Sequence, residues 1–148
     1  MGLLVQALQR LRWYPMPYHF DFDPANKILR CRFSGRVIDE ELKEYYLAAS
    51  KLAALTDAAA GLSDFSSVDS VDVSPKTIRE LASLPPIMPA PSSLRCIIAP
   101  SDKVFGLARM FELQGEDGRG NLHVVRTLKE ALAILGVLEP KFEPLNPE

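Results

Sequence analysis

Two bursts of alternation between apolar and polar positions stand near the start of the chain. Tyr18, Phe20 and Phe22 interleave with His19, Asp21 and Asp23; Leu29, Cys31 and Phe33 interleave with Arg30 and Arg32. A period of two is that of a half-buried strand. With Pro24–Lys27 as a four-residue loop, antiparallel pairing sets Phe22 opposite Leu29, Phe20 opposite Cys31 and Tyr18 opposite Phe33. On the other face Asp21 then meets Arg30 and His19 meets Arg32. One register satisfies both faces, which predicts a hairpin with its apolar side on the core and its charged side in water.

Beyond Gly35 the period changes to that of a helix. Asp39 is a plausible N-cap, Glu40 and Glu41 suit the positive end of a helix dipole, and Leu42, Tyr45, Tyr46, Ala49, Leu52 and Ala53 keep the i, i+3, i+4 spacing over residues 40–55. Ala60–Asp64 reads as a short third strand. A Ser/Asp loop over 64–76 leads to Ser74-Pro75, an N-cap with proline at the first helical position, and Ile78, Leu81 and Ala82 give that helix its buried stripe until Pro85. PPIMPAPSS is a proline-rich connector, Leu94–Ala99 a strand covered on both faces, and Val104, Leu107, Ala108 and Phe111 mark a third helix. GEDGRGN is a turn. Leu122–Arg126 is the last strand, and Thr127 with Glu130 forms a capping box for a helix carrying Leu128, Ala131, Leu132 and Leu135 and ending at Gly136.

The order hairpin, α, β, α, β, α, β, α predicts an α/β domain with a mixed sheet, its later strands parallel through right-handed crossovers and its helices packed on the sheet. Three segments follow: residues 1–17, an amphipathic helix over 3–12 and a Pro-rich connector; 18–137, the domain; 138–148, a loose tail. The apolar stripe of the first helix (Leu4, Ala7, Leu8, Leu11) needs a surface to dock on: its own domain, a second copy in a homodimer, or a membrane surface, the last disfavoured because two Arg and no Lys attract anionic lipid weakly.

Composition narrows the class. At 148 residues, 47% apolar and 24% charged, the chain has an ordinary globular balance, and its net charge of −2 shows no basic stripe for nucleic acid. No run approaches the ~18–20 apolar residues that span a bilayer, and the start lacks the pattern of a signal peptide, so a cytoplasmic protein is expected. Cys31 and Cys96 lie in strand-like runs without a Cys-x-x-Cys or Cys/His cluster, and read as buried, reduced thiols, with a disulfide between them as the alternative if their strands are neighbours.

Signatures of common enzyme classes are absent: no G-x-S-x-G elbow, no H-E-x-x-H, no phosphate-binding P-loop, and two histidines in all. The chain is read as non-enzymatic and without a cofactor. Asp64, Asp69 and Asp72 cluster after the third strand, where open α/β sheets place their sites. They are read as a solvated acidic loop, with a magnesium site as the competing use. Ser74 has two chemically compatible uses: capping a helix, and accepting a phosphate that the helix dipole would favour.

The run D-F-S-S-V-D-S-V-D-V-S-P, Asp64 through Pro75, resembles the D-L-S-x-V-x-F-M-D-S-S-G signature of the STAS or SpoIIAA-like domains, which include the anti-sigma-factor antagonists. Asp64, Ser66, Val68, Asp72 and Ser74 fall on matching positions, and the order of elements over 18–137 agrees. VFGLARMFE followed by HVVRTLKEALAIL is similar to the end of that domain, above all in its bacterial SpoIIAA-like branch. Val73 and Pro75 depart from the signature, replacing a Ser and the Gly. The resemblance implies a STAS-like regulatory domain that binds a protein partner, with Ser74 as phosphoacceptor and Asp64, Ser66, Asp69, Asp72 and Ser74 as the partner-binding loop. A second expectation is an apolar small molecule or lipid in a pocket drawn from Met88, Phe105, Met110 and Phe111, since Met and aromatic side chains line adaptable sites.

Overall fold

The computed structural model describes residues 17–88, 90–114 and 121–145. The expected helix over 3–12 and the segment 115–120 of the GEDGRGN turn lie outside the described residues. The elements are β1 (Tyr18–Asp23), β2 (Ile28–Ile38), α1 (Asp39–Thr56), β3 (Ala60–Asp72), α2 (Pro75–Ala82), β4 (Leu94–Ile98), α3 (Asp102–Gln114), β5 (Leu122–Val125), α4 (Leu128–Leu135) and β6 (Glu143–Pro144). They form an α/β fold with one six-stranded mixed sheet in the order β5-β4-β3-β2-β1-β6. Strands β2 to β5 are parallel neighbours; β1 is antiparallel to β2, and β6 to β1.

The hairpin has the expected register. Tyr18 pairs with Phe33, Phe20 with Cys31, Phe22 with Leu29, Asp21 with Arg30 and His19 with Arg32. Asp23 ties the turn: its carboxylate accepts the amides of Ala25 and Asn26 at 3.1 and 3.2 Å and the Asn26 side chain at 2.7 Å. The charged face, expected in water, is partly covered. Asp21 and Asp23 are 2% and 0% exposed. The cover is the segment expected to be a loose tail: Phe142 lies under the Arg30 guanidinium at 3.9 Å, the Lys141 amide donates to Asp23 at 3.2 Å, and Leu145 donates to the Phe20 carbonyl at 2.9 Å. Beneath it Asp21 holds Arg30 and Arg32 at 2.9 and 2.8 Å.

Each crossover from β2 to β5 moves one strand along the sheet in the same direction, so a common hand puts α1, α2 and α3 on one face. There Phe33, Val37, Tyr45, Tyr46, Ile78 and Val104 belong to one core. The opposite face is covered by α4, whose Ala131 packs with Ile28, Leu62, Cys96, Ile98 and Val125. Strand β4 is therefore covered on both sides, as its run of apolar residues requires. Cys31 and Cys96 belong to cores on opposite faces, on strands separated by β3, and remain free thiols. Burial pushes both thiols upward, that of Cys96 to about 11. No described helix is long and apolar enough to cross a membrane.

Candidate functional site

The expected Ser/Asp loop is mostly strand. β3 continues through Asp72, and its second half pairs in parallel with the end of β2, Ser34 with Ser67 and Ile38 with Asp72. Two register shifts, between Arg32 and Ser34 and between Gly35 and Arg36, each give β3 one extra residue. Gly35 sits at φ 67°, a conformation that costs glycine little and any β-branched residue much. Because of the two bulges, Phe65, Val68 and Val71 turn toward the helical core at intervals of three rather than two. Phe65 stacks on Phe33 with centroids 4.2 Å apart and planes at 5°.

Only the first five residues of β3, Ala60–Asp64, pair with β4. From Phe65 to Asp72 the strand has no strand neighbour on that side among the described residues. Ser66, Ser67, Asp69, Ser70 and Asp72 are exposed along this stretch. Asp64 accepts the Ser66 amide at 2.8 Å within the first bulge, and Asp72 binds Arg36 at 2.8 Å in an exposed pair. Asp64 and Asp72 stand eight residues apart on an extended strand, roughly 25 Å at about 3.3 Å per residue, so the three aspartates do not converge on one ion. No cluster of metal-ligating side chains occurs among the described residues.

Ser74 caps α2, its Oγ accepting the Thr77 amide at 3.2 Å and approaching Thr77 Oγ1 at 3.3 Å. Its own amide donates at 2.9 Å to Asp39 Oδ1. Asp39, expected as the N-cap of α1, is instead the first helical residue, with Ile38 in the cap position and Glu41 reaching back to the Ile38 amide. The Asp39 carboxylate is thereby available to bind across to α2. It titrates below the ordinary carboxylate value: the Ser74 amide bond lowers it, burial opposes, and the Thr77 and Ser74 side chains and Lys43 lower it further. One anion thus already stands at the amino-terminal ends of α1 and α2, where the helix dipoles favour it.

A second feature lies under the helices. Between the sheet and α1, α2 and α3 is an apolar cavity of about 90 Å³, and beside it one of about 50 Å³ that shares Tyr45, Tyr46, Ser63, Ile87, Ile97 and Phe111 in its wall. Tyr45 Oη and Ser63 Oγ are 2.7 Å apart in this wall. Burial pushes the Tyr45 hydroxyl well above the usual phenol range, so it stays protonated. Of the four residues expected to line a pocket, Phe111 borders both cavities and Met88 the smaller. Phe105 and Met110 border neither. Phe105 carries the Arg126 guanidinium at 3.9 Å over its ring, and Met110 packs against the core from its edge. Sequence reasoning missed Tyr45 and Ser63 as a polar pair, since Tyr45 keeps the helical apolar spacing and Ser63 sits in a short apolar run.

No family model, no curated protein and no solved structure matches the chain.

Proposed function

We propose that this chain is a non-enzymatic, STAS-like interaction domain whose protein partner docks along the open edge of β3 and around the amino terminus of α2. The carrying observation is that β3 outruns β4 by eight residues, Phe65–Asp72, leaving backbone donors and acceptors without a strand partner on that side among the described residues. An extended peptide adds to such an edge through main-chain hydrogen bonds, with side chains setting specificity. The exposed side chains Ser66, Asp69, Ser70 and Asp72 favour a partner strand bearing lysine, arginine or hydroxyl groups.

Ser74 gives this surface a means of control. A phosphate on its Oγ would bring about −1.5 to −2 charges beside Asp39. The two anions repel, so the Asp39–Ser74 bond between α1 and α2 breaks and the adjoining edge loses its fixed geometry. The test is capture of a partner from cells that make the protein, using the full chain, its Asp69→Lys/Asp72→Lys form and Ser74→Asp. Glu139→Lys, on the segment after α4, serves as a charge control. Loss of the captured protein in the first two variants with retention in the control is the expected outcome. Retention in all of them would place the partner elsewhere.

A further inference from the structure

The hydroxyls of Tyr45 and Ser63 hold two protons, and the 2.7 Å bond between them uses one. Whichever oxygen donates, the other keeps a proton with no acceptor among the described residues, in the wall shared by the two cavities. Tyr45 is 8% exposed and Ser63 half-buried, so bulk water has only restricted access to that proton. An unspent donor beside an apolar void is the complement of an apolar molecule bearing one acceptor.

We propose that the two cavities form a binding site for a small neutral molecule, of the size of a single ring or a short alkyl chain, whose one hydrogen-bond acceptor meets the Tyr45–Ser63 pair. Size follows from volume: about 90 and about 50 Å³ together approach the ~150 Å³ that admits benzene. Neutrality follows from the wall. No charged side chain lines the larger cavity, and Arg95, buried in the wall of the smaller one, is already engaged, so a carboxylate or ammonium beside the Tyr45–Ser63 pair would be buried without a free counter-charge. Half-buried Ile87 and Phe111 border both cavities from the connector and from α3. The Tyr46 hydroxyl ties the connector to this wall by donating to the Pro85 carbonyl at 2.7 Å.

Phenol and toluene are suitable probes, being of similar shape with and without an oxygen. Methyl-detected NMR titration of the full chain is expected to show saturable shifts at Ile97, Val104, Leu107 and Ala108, with phenol binding about ten-fold more tightly than toluene. In Tyr45→Phe/Ser63→Ala both partners become apolar together, a change that leaves stability nearly unaltered, and the phenol preference should vanish while toluene still binds. Ala108→Leu fills the larger cavity and should abolish the shifts for both probes. Absence of saturable binding by either probe, shifts elsewhere on the molecule, a phenol preference that survives the double substitution, or binding that survives Ala108→Leu would each overturn the proposal.

Discussion

The Asp39 carboxylate accepts the backbone amide of Ser74 at 2.9 Å, joining the first turn of α1 to the residue that caps α2. Thirty-five residues of sequence separate the two, and the intervening strand β3 returns the chain to within reach. Replacing Asp39 by Asn weakens a charge-assisted bond and is expected to cost about 1–2 kcal/mol in denaturant unfolding. Because the folded carboxyl titrates below its ordinary value of 3.8, the stabilisation is complete above that pH and disappears as pH falls through the lower folded value. The deficit of Asp39→Asn should therefore be full at pH 7 and shrink toward zero as the solution is acidified below 3.8 and through the lower folded value.

Asp21 is a buried acid serving two arginines, of which Arg30 is itself largely buried. Removing the acid leaves a guanidinium charge in a poorly solvated position. Asp21→Ala is expected to destabilise by roughly 3–5 kcal/mol, the usual range for breaking a buried pair from one side. Replacing Asp21, Arg30 and Arg32 together by apolar residues should recover much of that loss, as followed by thermal unfolding.

Phe142 covers Arg30 from the segment that follows α4. Phe142→Ala removes both an apolar cover and a cation–π contact, and about 1–2 kcal/mol of stability should go with them. Amide exchange at Asp21–Asp23 should accelerate in the same variant, because β6 would fray from β1.

A methyl group at Gly61 would stand 2.9 Å from Met88 Cε. Gly61→Ala is expected to cost about 1 kcal/mol by displacing the methionine. The Gly61→Ala and Met88→Ala effects should be strongly non-additive in a double-mutant cycle, since the second substitution removes the atom the first one strikes.

Where the apolar period matched an ideal element, the sequence was legible down to residue pairs, as in the hairpin from Tyr18 to Phe33. Strand β3 was not, and the bulges explain why. Two extra residues stretch the inward spacing of Phe65, Val68 and Val71 to three, a period that belongs to neither a regular strand nor a full helix, and the Ser and Asp residues between them look like a loop. The closing strand was hidden differently. Glu143–Pro144 is two residues long, and its proline is tolerated because it pairs on one side only, at the sheet edge. Of the candidate site, Ser74 as cap was readable from Ser-Pro, whereas the Asp39 contact and the Tyr45–Ser63 pair depend on how distant elements pack.

Amide hydrogen exchange across Phe65–Asp72, read residue by residue with the captured partner absent and then present, bears most directly on the proposed docking edge. In the isolated chain the amides bonded to β2 should exchange slowly and the remainder quickly, and partner binding should slow the quick set at least ten-fold while leaving the other unchanged. Uniformly fast exchange in the isolated chain would contradict the strand, and a bound partner that leaves the quick amides untouched would contradict the edge as its docking site.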